Sequence, residues 1–431
     1  MKILIAVFVV FLLGISAFAE VPSYPRQIAD PDDFLLLPWG GVWLTEIDND
    51  IIFKEMAEMG FNTTCFIKPD QVKYAKKYGL KAIVQDDGLA DNSIEDLSER
   101  YDKWGSNLKE AIGSEYLDCV YEVYVRDEPT ANDDLMKELS AKSDAVRKHI
   151  GCKPYINLFP DYASPQQLGT DSYDEYLDYY VKNCNLDYIS YDHYAFSLGT
   201  APNIPGMTYN EGGAGFNENG FYGNLETVRK AAIRNKVGFV NIIQSVGALH
   251  WPTPDDYIIH VQGWSTLAYG GKGLSYFTLF TPNMGNWRDA PYDEYGFKSP
   301  VWRYVTHMNY AINNISNVYK NLENINVFHI GNVPNGCNDM SSAKNIKNLD
   351  FNLVNGTVNI LVGEFVDKEG KQYAIIVNKD PKYSIAIGKI EFNKGTNIKK
   401  VEDRSYGDEI KPFGGEDVYI MPGHGVLLFA E

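Results

Sequence analysis

Cysteine is scarce in this chain. There are five in 431 residues (Cys65, Cys119, Cys152, Cys184 and Cys337), and no two form a C-x-x-C pair. This excludes the ligand spacing of a zinc finger or ribbon, and the odd count leaves at least one thiol unpaired within the chain. Cys119, Cys152 and Cys184 fall near the starts of β-prone runs, where cysteine serves as a small buried apolar group. Positive charge is also short, with 39 Lys and Arg against 57 Asp and Glu and a net charge of −18. Such a surface repels polyanions, so neither nucleic acid nor an anionic membrane is expected as a partner. Of the seven histidines, only His193 falls at the end of a β-prone run, so no metal site is assigned. No glycine-rich phosphate fingerprint follows the first such run, and no cofactor is expected.

Long apolar runs are absent after the first. That one, Ile3–Leu13, follows Lys2 and is followed by Ala17-Phe18-Ala19 before Glu20. It is too short to span a bilayer comfortably and has the layout of a cleavable secretory signal, residues 1–19. A secreted or extracytoplasmic mature protein without a membrane anchor is the expectation.

Between residues 34 and 282 a short β-prone run, a polar or aromatic turn and a helical pattern recur. The runs are Phe34–Leu44, Phe61–Ile67, Leu80–Gln85, Val120–Glu128, Pro154–Phe159, Leu186–Tyr194, Val237–Gln244 and Gly273–Thr281. Helical patterns such as Asp50–Met59, Asp133–Ile150, Tyr173–Asn183, Asn224–Asn235 and Asp255–Tyr269 separate them. Strands alternating with helices predict a parallel sheet, and eight such units fit an α/β fold of the closed (β/α)₈ TIM-barrel type. After residue 322 the texture changes to short strands with turn signals at Lys368-Glu369-Gly370 and Pro422-Gly423. This predicts a small C-terminal antiparallel β-sandwich, giving a catalytic barrel over 20–320 and a second domain over 321–431.

Functional groups of such a barrel gather at the C-terminal ends of its strands. Those ends read Asp86-Asp87, Arg126-Asp127-Glu128, Pro160-Asp161-Tyr162, Asp192-His193-Tyr194, Gln244-Ser245 and Thr281-Pro282-Asn283. In the fourth, "YEVYVRDEP", strand alternation turns Glu122, Tyr124, Arg126 and Glu128 toward the lumen and leaves Tyr121, Val123 and Val125 to the helices. A bulge at the strand end would turn Asp127 inward as well. A carboxylic acid held beside another acid has a raised pKa, which suits a general acid. Glycosidic cleavage needs such an acid on the leaving oxygen and a second group for the charge growing at the anomeric carbon. Glu128, Asp127 and Asp192 are the candidate catalytic residues, with Asp192 sharing a face with Ser190 and Tyr194.

Aromatic residues make up 13% of the chain, with 30 Tyr and 7 Trp, a supply that suits stacking on pyranose faces. Trp39, Trp43, Asp86, Arg126, Asn157, Tyr194, Gln244, Trp251 and Trp287 are the candidate carbohydrate-binding residues. Tyr162 and His250 lie nearby. The glycine-rich loop 197–223 reads as a cover over the site, with Glu211 and Glu218 as further carboxylates.

The Glu-Pro ending of strand four resembles the acid/base position of clan A glycoside hydrolases. "WSTLAYGGKGLSYFTLFTP" (264–282) resembles the last helix and strand of β-galactosidase-like members. The resemblance implies a glycosidase that acts on a poly- or oligosaccharide, with Glu128 as general acid/base. Two positions depart from it. Clan A places a nucleophilic Glu at the end of strand seven, where this chain has Gln244, and the residue before the acid is Asp127 rather than Asn. An Asp-Glu pair at strand four resembles the substrate-assisted N-acetylhexosaminidases, in which the substrate's acetamide attacks and no protein nucleophile is required. Inversion, with Asp192 activating water, is a third route. A non-catalytic carbohydrate-binding barrel that has lost its nucleophile is the alternative, and a metal-dependent hydrolase using Asp86, Asp87, Asp192 and His193 is a weaker one.

Overall fold

The eight β-prone runs all become strands, and each is held by its neighbours in one parallel sheet. They are β1 (Leu35–Pro38), β2 (Thr63–Ile67), β3 (Lys81–Val84), β4 (Val120–Asp127), β5 (Lys153–Leu158), β6 (Tyr188–Asp192), β7 (Gly238–Gln244) and β8 (Gly273–Phe277). This computed structural model describes residues 28–42, 48–198, 214–353, 357–402, 409–412 and 418–431. The expected signal segment, Trp43 and Glu211 lie outside the described residues.

The strand order is β1-β8-β7-β6-β5-β4-β3-β2. A parallel bridge between Gly41 and Phe66 brings the two ends of this order together. Phe66 N donates to Gly40 O at 2.9 Å, and Thr63 Oγ1 donates to Leu36 O at 2.9 Å. The sheet is thereby a nearly closed barrel. Alternation sorts its side chains as a barrel requires. Leu37, Phe66, Ile83, Tyr155, Val240 and Ile242 fill the lumen, while Leu36, Val84, Val123, Ile156, Ile189 and Ile243 face the helices.

The main barrel helices are α1 (Asn49–Glu58), α2 (Val72–Lys77), α3 (Leu97–Ile112), α4 (Asp133–Ala145), α5 (Tyr173–Cys184), α6 (Glu218–Asn235), α7 (Asp256–Ala268) and α8 (Pro300–Tyr319). Most begin where the sequence offers an oxygen to an orphan N–H. Asp48, Asp96, Asn132, Ser172, Asp255 and Ser299 each accept from the first turn of the helix they cap. Among the described residues, no helix is long and apolar enough to cross a membrane.

The C-terminal strands are β9 (Glu323–Ile330), β10 (Ile346–Leu353), β11 (Ile360–Val366), β12 (Gln372–Asn378), β13 (Ile385–Phe392), β14 (Ile398–Glu402), β15 (Glu409–Pro412), β16 (Val418–Ile420) and β17 (Gly425–Ala430). They pair antiparallel as β9-β11-β12-β17-β14-β15 and β10-β13-β16. Ile360 and Val362 share a buried cluster with Ile387 and Phe392 of the smaller sheet, whereas Leu361 belongs to the barrel-side core. Burial on both faces explains why β11 reads as a continuous apolar run rather than an alternation. Close approach to α7 demands glycine at two points of the larger sheet. A Cβ at Gly363 would lie 2.0 Å from Ala268 O, and one at Gly425 would lie 2.6 Å from the Trp264 ring.

Candidate active site

The fourth strand does not alternate to its end. Tyr124 pairs with Tyr155, but Arg126 pairs with Ile156 and Asp127 with Asn157, so Val125 is an extra residue in β4. Such a bulge reverses the facing of everything after it. Val125 and Ile156 both lie in the helix-side core. Arg126 is therefore turned out of the lumen and is exposed, a correction to its expected place one layer below Glu128. Asp127 takes the inward position instead. Lys142 Nζ, on α4, donates to the carbonyl of Val125 at 3.3 Å and so holds the bulge from the helix side.

Glu128 follows with φ at +41°, a left-handed conformation uncommon for a residue with a Cβ. Pro129 disfavours the right-handed helical region for the residue before it. The bend is secured at both ends. Glu128 N donates to Asn157 O at 2.9 Å, and Tyr176 Oη donates to Pro129 O at 2.9 Å. The Glu128 side chain is left half-buried at the mouth.

Asn157 joins the acids. Its Nδ2 donates to Asp127 Oδ1 and to Asp192 Oδ1, each at 3.0 Å. Its Oδ1 accepts from Ser190 Oγ at 3.0 Å, and Ser190 Oγ lies 2.8 Å from Tyr155 Oη. An amide has two donors and an acceptor, and this one is oriented by Ser190 so that both donors face carboxylates. Asp192 is 5% exposed. Burial, then the charges of Glu128 and Asp127, outweigh its Asn157 hydrogen bond and push its carboxyl up to about 8. Burial and the charge of Asp127 push Glu128 up to about 7. Asp127 is raised as well, mainly by desolvation. Solvent reaches it, yet protein encloses it on most sides, as befits a group in a cleft. Glu128 and Asp192, raised to about 7 and about 8, are not both fully ionised near neutrality.

Aromatic rings stand on the rim beside Asp192. Tyr194 lies 4.7 Å from Trp251 and 5.2 Å from Phe277, and Trp287 lies 5.3 Å from Trp251 and 5.7 Å from Phe277. Tyr162, 61% exposed, packs edge-on against His193 at 5.2 Å. A groove of about 540 Å³ along β4 is lined by Tyr124, Arg126, Asp127 and, beyond them, Asp87, Glu138 and Lys142.

Several expected site residues lie elsewhere. Trp39 is buried in the lumen against Phe66 and Tyr124, below the acids. Gln244 is fully buried, with its Nε2 donating to the carbonyls of Val246 (3.5 Å) and Pro252 (3.4 Å). Asp86 Oδ1 accepts from Gly88 N, bracing its own loop. Glu218 is not in a cover. It starts α6 and pairs with buried Lys379 at 2.8 Å, tying the barrel to the C-terminal sheets. His193 is buried, its Nδ1 3.0 Å from Asn224 Oδ1. Asp87 is engaged by Lys142 at 2.5 Å, so Asp86, Asp87, Asp192 and His193 do not form a metal-binding group. Of the loop 197–223, residues 199–213 lie outside the described residues. The remainder forms a short hairpin, Phe196–Leu198 with Ala214–Phe216, and the start of α6. Sequence reasoning missed Phe277, whose signal was an aromatic residue on the last strand two residues after Ser275.

No protein-family model matches the sequence. No curated protein matches it either. Among solved structures, a β-galactosidase from the psychrophilic Marinomonas ef1 is similar at 11% identity and a TM-score of 0.46, covering 67% of this chain and 62% of that one. Alpha-galactosidase I from Mortierella vinacea is similar at 12% identity and a TM-score of 0.44, covering 92% and 97%. A family 1 β-glucosidase from Thermotoga maritima is similar at 11% identity and a TM-score of 0.41, covering 66% and 99%.

Proposed function

We propose that the protein is a glycoside hydrolase in which Glu128 protonates the leaving glycosidic oxygen. The observation that carries this reading is the carboxyl cluster Asp127, Glu128 and Asp192 at the mouth of the barrel, organised by Asn157. A carboxyl with a pKa near the working pH is protonated often enough to donate and acidic enough to do so readily. As the C–O bond breaks, the proton passes from Glu128 to the departing oxygen, and a carboxylate partner meets the positive charge at the anomeric carbon. Tyr194, Trp251 and Trp287 supply stacking faces for the sugar.

Gln244 supports a chemistry without a strand-seven nucleophile. Either the substrate's own acetamide attacks with Asp127 orienting it, or the ionised fraction of Asp192, a minority below its raised pKa of about 8, takes a proton from an attacking water. The same residue favours the second reading, a carbohydrate-binding barrel without catalysis. The reading also takes residues 1–19 as a cleaved secretory signal, 20–320 as the catalytic barrel and 321–431 as a β-sandwich, with a poly- or oligosaccharide as the partner.

A panel of chromogenic glycosides that includes N-acetylhexosaminides, with the anomer of the first product read by NMR, tests the reading. Retention on N-acetyl substrates alone assigns Asp127 the orienting role. Inversion assigns Asp192 as base. Sugar binding without hydrolysis of any substrate overturns the enzyme and leaves the binder.

A further inference from the structure

Asp256 and His260 stand one turn apart at the start of α7, the i, i+4 spacing that puts two side chains on one helix face. The turn Pro422-Gly423-His424 lies across from them, just before β17. Two glycines press it onto the helix. Gly423 has φ +76°, and a Cβ there would lie 2.8 Å from Tyr257 O, while Gly425 lies under the Trp264 ring. His424 is thereby laid over His260, with ring centroids 3.8 Å apart and planes 14° from parallel. His424 Nε2 is 2.8 Å from Asp256 Oδ2, and His260 Nε2 is 3.7 Å from Asp256 Oδ1. One potential ligand atom from each of the three lies within 4.8 Å of the others, and they form the one such group found among the described residues.

A second, independent observation concerns His260. It is 1% exposed, and neither ring nitrogen has a hydrogen-bond partner. Buried polar atoms are nearly always satisfied, so an orphaned imidazole facing a carboxylate and a second imidazole asks for a ligand. Burial works against ionisation of Asp256. The hydrogen bond from His424 and the neighbouring histidines outweigh it and lower its carboxyl.

We propose that Asp256, His260 and His424 bind a first-row divalent transition metal of the zinc class, which clamps α7 to the C-terminal turn. Two imidazoles and a carboxylate are a donor set such ions accept, with water completing a tetrahedron. The surroundings on α8 set the strength. His307 acts electrostatically on Asp256 and His260, and Arg303, which acts on His307, opposes a cation. The site is remote in sequence from the carboxyl cluster and is independent of the proposed hydrolysis.

The test uses the full untagged chain, stripped with chelator and titrated with Co²⁺ by calorimetry and visible absorption. One Co²⁺ per chain, with the d–d bands of nitrogen and oxygen ligation, displacement by Zn²⁺ and a higher Tm with metal is the expected result. Asp256→Asn and His424→Asn, at half-buried positions where folding is checked by circular dichroism, each weaken binding at least tenfold. Absence of stoichiometric binding overturns the proposal. So does binding that persists unchanged in both variants.

Discussion

The side-chain amide of Asn157 donates to Asp192 at 3.0 Å across the β5–β6 boundary, and the same nitrogen reaches Asp127. Such a hydrogen bond is worth roughly 0.5–1.5 kcal/mol to a neutral acceptor and roughly 1.5–3 kcal/mol to a charged one. Asn157→Ala removes both and also leaves Ser190 Oγ without its acceptor. Lower kcat and a lower Tm are expected, with both carboxyls binding protons still more tightly. An alkaline limb of kcat/KM that stays where it was would remove Asn157 from the site.

The proposed donor must carry its proton. Glu128 is pushed up to about 7, so kcat/KM should fall as pH rises through that value. Glu128→Gln keeps the shape but has no acid to donate, and a loss of roughly 10²–10⁴-fold is expected. Hydrolysis of an activated aryl glycoside at undiminished rate in the variant would exclude Glu128 as the acid/base that also assists the second step.

Asp192 ties stability to pH in the opposite sense to an ordinary surface acid. Its folded-state pKa is about 8, well above the value of 3.8 for the unconstrained group. Between roughly pH 4 and 8 the folded chain holds a proton that the unfolded chain has released, so stability falls as pH rises. The slope from one such group is at most about 1.4 kcal/mol per pH unit. Asp192→Asn has no proton to lose and should make the decline measurably shallower, leaving the shares of Glu122 and Glu128, as followed by thermal unfolding at pH 5 to 8. An equally steep decline in the variant would refute the buried, protonated Asp192.

Glu128 at φ +41° stores strain at the position that the chemistry needs. Glycine adopts this conformation freely, so Glu128→Gly should gain about 1 kcal/mol of stability while losing activity. Denaturant unfolding of the pair measures it. A destabilised variant would mean that the Glu128 side chain contributes more to the fold than its backbone costs.

Trp251 touches Tyr194 and Trp287 on the rim. Trp251→Ala should act on binding, raising KM or the sugar Kd by about tenfold, since a ring pair contributes ~0.5–1.5 kcal/mol beyond its buried area. A loss confined to kcat would place Trp251 in the chemistry instead.

The eight barrel strands were legible because a β-prone run between turns and helical patterns is a local signal, repeated eight times. The sidedness of β4 was legible only from Glu122 to Tyr124, because Tyr121, expected toward the helices, packs against the lumen cluster where β4 shifts register against β3. The bulge at Val125 depends on pairing with β5, and pairing is not written in one strand's own sequence. Arg126 was therefore assigned inward, although Asp127 takes that place. Asp192 followed from simple alternation because β6 has no irregularity. Gln244 and Trp39 illustrate a different limit. Their strands were found, but how deep a side chain sits below the mouth depends on the stagger of the neighbouring strands. The histidine cluster was invisible for a similar reason. His260 and His424 are separated by most of the C-terminal region, and only the close approach at Gly423 and Gly425 makes them neighbours.

From Ile258 to Ala268, every residue of α7 is buried. Barrel helices ordinarily turn one side to water, and this one instead lies between β7 and the larger C-terminal sheet. A fragment ending near residue 320 would carry that apolar outer side into solvent, a patch fit for aggregation. Although the two regions read as separate in sequence, they share the burial of α7, and a cut between them should cost the barrel its solubility.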